Sequence, residues 1–455
     1  MKIGFHRRWQ NPPRQWWTIG ILATLWVLVV AWINVSDRSD RRFAFARVAE
    51  AAALVYYADS NYPDWLAALA RFDDERLRLD AVKFFDAAVE SGGIPQAALP
   101  EWALLLHLLG EGARAEKALS LMRPDFLPPQ KSLVASIVAD EPVATKVDAW
   151  VARRAEQGEW ELPEWHYAAF VQGDARVQGW LEARGENMIR RGLAAHVLAA
   201  AVLGAALVSF VWWVFRRSTL PVLPRRSGLM KGWGVRRLVV EFFLAELLGL
   251  LFAVCVAVPA YLLGFEDGVD VLAGVGVMLF PVFWLVFRLT PGWGASLRLF
   301  GLRRSRWTAR ALCGLGLAGV AVIALLAGLV ACLEEPGESI QDTITADGLD
   351  RPLAVIWIFF LAVVLAPLSE EFVFRGFLFG GLSQRWGPVG ASVASSVCFA
   401  LMHGYTWTGL LVVFFYGLIF CRLFRRSGSL WPGIIAHSAV NLVITAEVVG
   451  WFSLH

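Results

Sequence analysis

Residues 368–381 read LSEEFVFRGFLFGG, and they set Glu370, Glu371 and Arg375 into a run that is otherwise apolar from 352 to 382. A helical run of that length is long enough to cross the hydrocarbon core of a bilayer, which takes about 20 apolar residues. Each charged group inside such a segment costs roughly 2.5–3.5 kcal/mol on insertion scales and is a functional suspect for that reason. Glu371 and Arg375 are four residues apart, so they share one helix face and can pair. Glu370 is turned by about 100° from Glu371 and need not share that partner. One carboxylate is then neutralised and its neighbour is left free to act as a base near neutral pH.

The rest of the chain fits this membrane setting. Of 455 residues, 57% are hydrophobic, more than an ordinary soluble enzyme of this length carries. Apolar runs lie at 16–35, 193–215, 238–263, 271–288, 311–333, 352–382, 388–404, 406–424 and 431–452. Two of them, 271–288 and 388–404, are short, so eight to nine spans are expected. Trp16, Trp17, Trp212, Trp213, Trp386 and Trp431 mark run ends, where amphipathic rings favour the membrane interface. The expected fold is therefore all-α: a polytopic transmembrane helical bundle with an N-terminal helical extramembrane domain.

The net charge of +3 says little, but its distribution orients the chain. The loops at 216–237 and 289–310 and the turn at 422–426 are rich in arginine, while the alternating loops carry Glu266, Asp267 and Asp270, then Glu334, Glu335 and Glu338. Basic loops mark the cytoplasmic side. This predicts a multi-pass protein of a cell membrane, a bacterial inner membrane, with its N-terminus in the cytoplasm and residues 36–193 outside. The first run follows Lys2, Arg7, Arg8 and Arg14 and lacks a small-residue cleavage site, so it is expected to stay as an anchor.

Four regions follow: 1–35 as cytoplasmic N-terminus and first anchor, 36–193 as the extracytoplasmic helical domain, 194–351 as further transmembrane helices, and 352–455 as the core that carries the chemistry. Helical periodicity over 43–58, 63–91, 97–122 and 143–158 supports the second. Its two isolated histidines, His107 and His166, are expected to be packing or surface residues. The five cysteines, Cys255, Cys313, Cys332, Cys398 and Cys421, all fall in apolar runs, form no CxxC pair and are expected as small buried residues. Glu241 and Glu246 lie near Arg236 and Arg237 and are expected to pair with them at the interface. Glu447 is expected to reach the opposite interface.

Two later segments add polar groups to apolar helices. The run 398–404, CFALMHG, holds Phe399 and His403 four residues apart, and 431–441, WPGIIAHSAVN, holds His437 and Asn441 at the same spacing. Arg385 and Trp386 mark a turn. Glu370 stands 15 residues before Arg385 and His403 stands 15 after Pro388, so both reach about 22 Å from it at 1.5 Å per residue. They can face each other at one level. His437 is only five residues past Pro432, so tilt or a deeper start of the last helix has to close the gap. Polar contacts between membrane helices are an ordinary structural feature. An acidic pair, an arginine, two histidines and an asparagine together point beyond that to a reaction site.

In this order the motifs Glu370-Glu371-Phe-Val-Phe-Arg375, Phe399-Ala-Leu-Met-His403 and His437-Ser-Ala-Val-Asn441 resemble the CPBP family of CAAX prenyl proteases and bacteriocin-processing enzymes. Ala366-Pro367-Leu368 and Gly376 look like the family too, and the resemblance spans about residues 352–445. It implies an intramembrane endopeptidase of glutamic type. Glu370 would activate water as general base, His403 would hold that water, and His437 and Asn441 would donate to the developing oxyanion. Glu371, Arg375 and Phe399 would orient the site. Glu370, His403 and His437 are also the residues that would bind Zn²⁺. The absence of HExxH and the presence of Asn441 favour a reaction without metal and without cofactor.

The expected partners are a membrane-associated protein or peptide substrate, the lipid bilayer and an extracytoplasmic partner of 36–193, with no nucleic acid. The alternative is a non-catalytic scaffold or bacteriocin self-immunity protein of the same fold. A transporter would also bury charges, but no paired repeat with broken helices is visible.

Overall fold

The computed structural model describes residues 96–123, 128–157, 161–216, 234–262, 269–289, 307–331, 352–403 and 407–452, with isolated positions elsewhere, Leu302 and Tyr405 among them. The anchor expected at 16–35, the helices expected at 43–58 and 63–91 and most of the basic and acidic loops lie outside these residues. Among the described residues every regular element is helical. The chain divides into two compact units, one built on 200–341 and 356–445, the other on 37–199 with 342–355 and 446–455.

The second unit is a stack of short helices: α1 (Leu99–Leu108), α2 (Gly112–Leu121), α3 (Pro128–Ala139), α4 (Thr145–Gln157) and α5 (Leu162–His166), the last continuing into a wide-turned π segment, Tyr167–Val171. Its centre is α1, buried from Leu99 to Leu106 and packed against α2, α3 and α5. Leu104, Leu105, Leu133, Val134 and Leu181 close around Trp102. The single helix expected over 97–122 breaks into two at Leu109–Glu111. His166 is buried and packs against Phe170 at 5.1 Å, as a core histidine.

α6 (Ala175–Arg216) has 42 residues, about 63 Å at helical rise. The apolar run expected at 193–215 is its second half. The membrane-type helices that follow are α7 (Val235–Leu262), α8 (Val269–Leu289), α9 (Ala309–Ala331), α10 (Pro352–Phe359), α11 (Ala366–Glu370), α12 (Gly380–Leu401), α13 (Trp407–Ser427) and α14 (Trp431–Phe452). Two π segments interrupt the series, Phe360–Leu365 between α10 and α11 and Glu371–Phe379 between α11 and α12.

Six stretches among the described residues are long and apolar enough to cross a membrane, and Leu272–Arg288 is a shorter one. The longest, Leu353–Leu401, contains two expected runs. Gly387, with φ of 74°, ends the first helix there, and Pro388 begins the second. Glycine tolerates this left-handed conformation, and proline suits a helix start because its missing N–H has no partner to lose.

Between membrane helices lipid competes for apolar surface, so side-chain fit decides the packing. Here a ladder of edge-to-face rings links four segments: Phe242 on α7 meets Phe374 at 5.5 Å, Phe374 meets Phe399 on α12 at 5.2 Å, and Phe399 meets Phe420 on α13 at 6.3 Å. Each such pair contributes about 0.5–1.5 kcal/mol beyond its area.

Glu241, Glu246 and two cysteines depart from expectation. Glu241 pairs with Arg288 at 2.5 Å and accepts a bond from the Trp284 indole at 3.2 Å. Glu246 is buried rather than interfacial. Glu447 lies 3.3 Å from His196 Nδ1, so α14 and α6 meet there. Cys421 is buried, but Cys255 and Cys313 are exposed on helix surfaces. For Glu241 the third dimension supplies a partner 47 residues away in Arg288.

Candidate active site

Glu370 ends α11, and Glu371 and Arg375 lie on the π segment that follows. The wider turn keeps Glu371 and Arg375 in contact: Arg375 Nη1 is 3.1 Å from Glu371 Oε1, and both side chains are fully buried. The contact lacks hydrogen-bond alignment, and all three guanidinium nitrogens are without protein acceptors. Aromatic faces take over part of that role. The guanidinium carbon sits 4.0 Å from the Phe399 ring centre and 4.9 Å from that of Phe420. A desolvated cation–π contact contributes about 2 kcal/mol.

Phe399 also fixes the imidazoles. His403 packs against it at 4.6 Å and His437 at 5.8 Å, both edge-to-face. His437 stacks on Phe420 at 5.1 Å, and His403 on Tyr405 at 6.0 Å. The His403 Nδ1 is 2.8 Å from the Phe399 carbonyl. An Nδ1–H donated there leaves Nε2 as the free acceptor.

Both Nε2 atoms converge on one carboxylate oxygen. Glu370 Oε2 is 3.9 Å from His403 Nε2 and 3.8 Å from His437 Nε2. These distances are too long for direct hydrogen bonds. They suit one water about 2.8 Å from the oxygen and within reach of an imidazole. Glu370 Oε2 is buried and has no protein hydrogen-bond partner, which is the condition that calls for such a water. Glu370 itself is partly accessible, 15% exposed against 0% for Glu371.

His437 reaches the level of Glu370 where the first turn of α14 packs on α9. Pro432 O and Ile435 lie against Gly316, and Ala436 lies near Gly319. Gly316 is seven residues into α9, about 10 Å along the helix. Leu430 and Ser429 just ahead of α14 are fully buried. His437 thus stands 3.8 Å from Glu370 Oε2 although it lies only five residues past Pro432. At Gly433 a Cβ would strike Glu371 Oε2, so the first turn of α14 approaches the acidic pair as closely as backbone allows. His437 Nδ1 is 3.6 Å from Glu371 Oε1, which ties the two carboxylates to one ring.

Asn441, one turn beyond His437, donates its amide to the Ala362 carbonyl at 2.7 Å. That carbonyl belongs to the first π segment. Similarly, Ser395 donates to the Phe374 carbonyl of the second at 2.9 Å. One amide hydrogen of Asn441 is thus committed to helix packing, and one is left. Glu246 on α7 is a polar neighbour that sequence reasoning assigned elsewhere. Its carboxyl is 5% exposed and within electrostatic reach of Glu370.

Among the described residues no group of three or more His, Cys, Asp or Glu side chains is arranged to hold a metal ion. Ligands on a tetrahedral zinc with bonds of about 2.0–2.1 Å stand about 3.3 Å apart, closer than the 3.8 and 3.9 Å seen here.

Residues 352–443 match the family described as "Type II CAAX prenyl endopeptidase Rce1-like". The chain is similar to "Putative membrane peptidase YdiL" of Bacillus subtilis, 30% identical over 96 residues, which are 21% of this chain and 39% of that protein. It is also similar to "UPF0177 protein YxdF" of Lactococcus lactis subsp. lactis, 35% identical over 80 residues, 17% of this chain and 43% of that protein. The chain spans about two fifths of the length of each of these relatives. No solved structure matches it.

Proposed function

We propose that this chain, whose residues 352–443 carry an Rce1-like core of the CPBP type, is an intramembrane endopeptidase acting on a membrane-associated protein or peptide. One observation carries the reading. A buried carboxylate oxygen without a protein partner stands 3.8 and 3.9 Å from two imidazole nitrogens. That is a seat for a water that can be deprotonated.

In the proposed reaction Glu370 takes a proton from the water while its oxygen attacks the peptide carbonyl carbon. His403 holds the water by accepting its other hydrogen. The carbonyl oxygen becomes an oxyanion and receives N–H bonds from His437 and the remaining amide hydrogen of Asn441, a contribution that is usually large in acyl transfer. The C–N bond then breaks as the proton on Glu370 passes to the departing amine. The new carboxylic acid gives its remaining water-derived proton to that amine, and a carboxylate and an ammonium leave. Glu371, Arg375 and Phe399 orient these groups without touching substrate. No step requires a metal or cofactor.

The proposed setting is a bacterial inner membrane with the N-terminus in the cytoplasm. Residues 36–193 form the outward domain, available to a partner there. Residues 194–351 supply the helices that enclose the core at 352–455. Comparative proteomics of cells carrying wild-type or Glu370→Gln protein tests the reading. Uncut precursors should accumulate only with the variant. Identical processing in both would remove the proposal.

A further inference from the structure

Two glutamates are buried on α7, and the protein treats them differently. Glu241 is answered by the Arg288 guanidinium and the Trp284 indole. Glu246 is 5% exposed, and among the described residues no hydrogen-bond donor or cation meets it. Its direction is set by Phe242, one turn earlier on the same face, whose ring meets Phe374 of the segment that bears Glu371 and Arg375. The Glu246 carboxyl lies within electrostatic reach of Glu370 and of the Cys398 thiol. It therefore lies on the face of α7 that meets the segment following Glu370.

Carboxyls outnumber cations around Glu370. Glu370, Glu371 and Glu246 stand against one guanidinium and two imidazoles. Arg375 is engaged by Glu371 and by two aromatic faces, and the His403 and His437 rings face Glu370 and Glu371. An unpaired carboxylate in apolar surroundings weakens the fold, so Glu246 contributes nothing to packing that a leucine would not do better. Among the described residues nothing answers it, and a cation brought by a substrate would. A neutral peptide N–H can donate one bond but cannot balance the charge, whereas an ammonium or guanidinium does both.

We propose that Glu246 is a specificity residue that receives a lysine or arginine side chain of the substrate beside the bond held at Glu370. The inference rests on the endopeptidase reading of the same site.

The full-length protein in lipid nanodiscs would be offered pools of internally quenched peptides. Each pool has arginine, lysine, citrulline, leucine or glutamate fixed at one position around a randomised bond. Wild type should cut arginine or lysine pools at least ~10-fold faster in kcat/KM than the citrulline pool at one position, as expected for a charge-assisted bond. In Glu246→Gln that ratio should fall toward one, mainly through KM. Glu246→Lys should shift preference toward glutamate. Glu246→Asp, which keeps the charge, should retain the preference and serves if the other variants fail to fold.

A wild-type ratio near one overturns the inference alone. So does a Glu246→Gln variant that slows all pools equally and moves the pH profile of kcat, because Glu246 would then act on Glu370 and not on substrate. No cleavage by wild type, or equal cleavage by Glu370→Gln, overturns the endopeptidase reading and this inference with it.

Discussion

Replacing Arg375 with methionine probes the part of the site that the fold itself depends on. Arg375 and Glu371 are fully buried and 3.1 Å apart. Without the guanidinium, the Glu371 carboxylate keeps only the His437 Nδ1 at 3.6 Å as a polar neighbour of opposite character. Breaking a buried ion pair on one side costs about 3–5 kcal/mol, because the other charge stays behind unpaired. Loss of the cation between the Phe399 and Phe420 faces adds about 1–2 kcal/mol. Removing both partners is far milder, since an apolar pair of similar volume replaces a buried ion pair at little cost. The double variant Glu371→Leu/Arg375→Met should lose no more than about 2 kcal/mol, giving a coupling of at least about 2 kcal/mol between the positions. SDS-driven unfolding in mixed micelles, followed by far-UV circular dichroism, reads these values. Single variants that each cost under about 1 kcal/mol, with additive effects, would refute the reasoning.

Other consequences are equally specific. Gly433→Ala drives a methyl into the Glu371 carboxylate and should destabilise by about 1–3 kcal/mol in the same assay, with lower cleavage of the quenched peptides. Asn441→Ala strips the Ala362 carbonyl of its donor. Ala362 is half-buried, so its unmet acceptor should cost about 1 kcal/mol, and unfolding should come earlier even where no peptide is present. In the helical unit, burial pushes the Glu164 carboxyl up to about 7 and the His166 ring down to about 4. A carboxyl that holds its proton more tightly when folded stabilises fully below its ordinary value near 4.5 and loses that contribution as pH rises through about 7. His166 runs the other way and loses its contribution as pH falls from 6.5 through about 4. Hydrogen-exchange protection of 161–171 should therefore decline on both sides, and Glu164→Gln should abolish only the decline toward neutral pH.

Much of this site is legible in the sequence because charges in apolar runs stand out. Glu370, Glu371, Arg375, His403 and His437 are set off by the lipid-like residues around them, and the Gly387-Pro388 pair announces the turn between their helices. Depth is less legible. Counting rise from the ends assumes helices that start at one level, and the first turn of α14 instead lies against Gly316, about 10 Å along α9. Glu246 differs for a related reason: it stands near arginines in sequence but lies buried on the helix face whose Phe242 meets Phe374. The bond from Asn441 to Ala362 depends on a π segment, and the sequence of that segment, FLAVVL, carries no mark that separates it from ordinary helix.

The most direct test of the proposed chemistry is a single turnover of a quenched peptide in H₂¹⁸O by the purified full-length protein, with Glu370→Gln beside it. Water attack assisted by Glu370 predicts one ¹⁸O in the new C-terminal carboxylate of the product, none in the Glu370 side chain, and no product from the variant. Label appearing in Glu370, or labelled product formed at the wild-type rate by Glu370→Gln, would contradict the account.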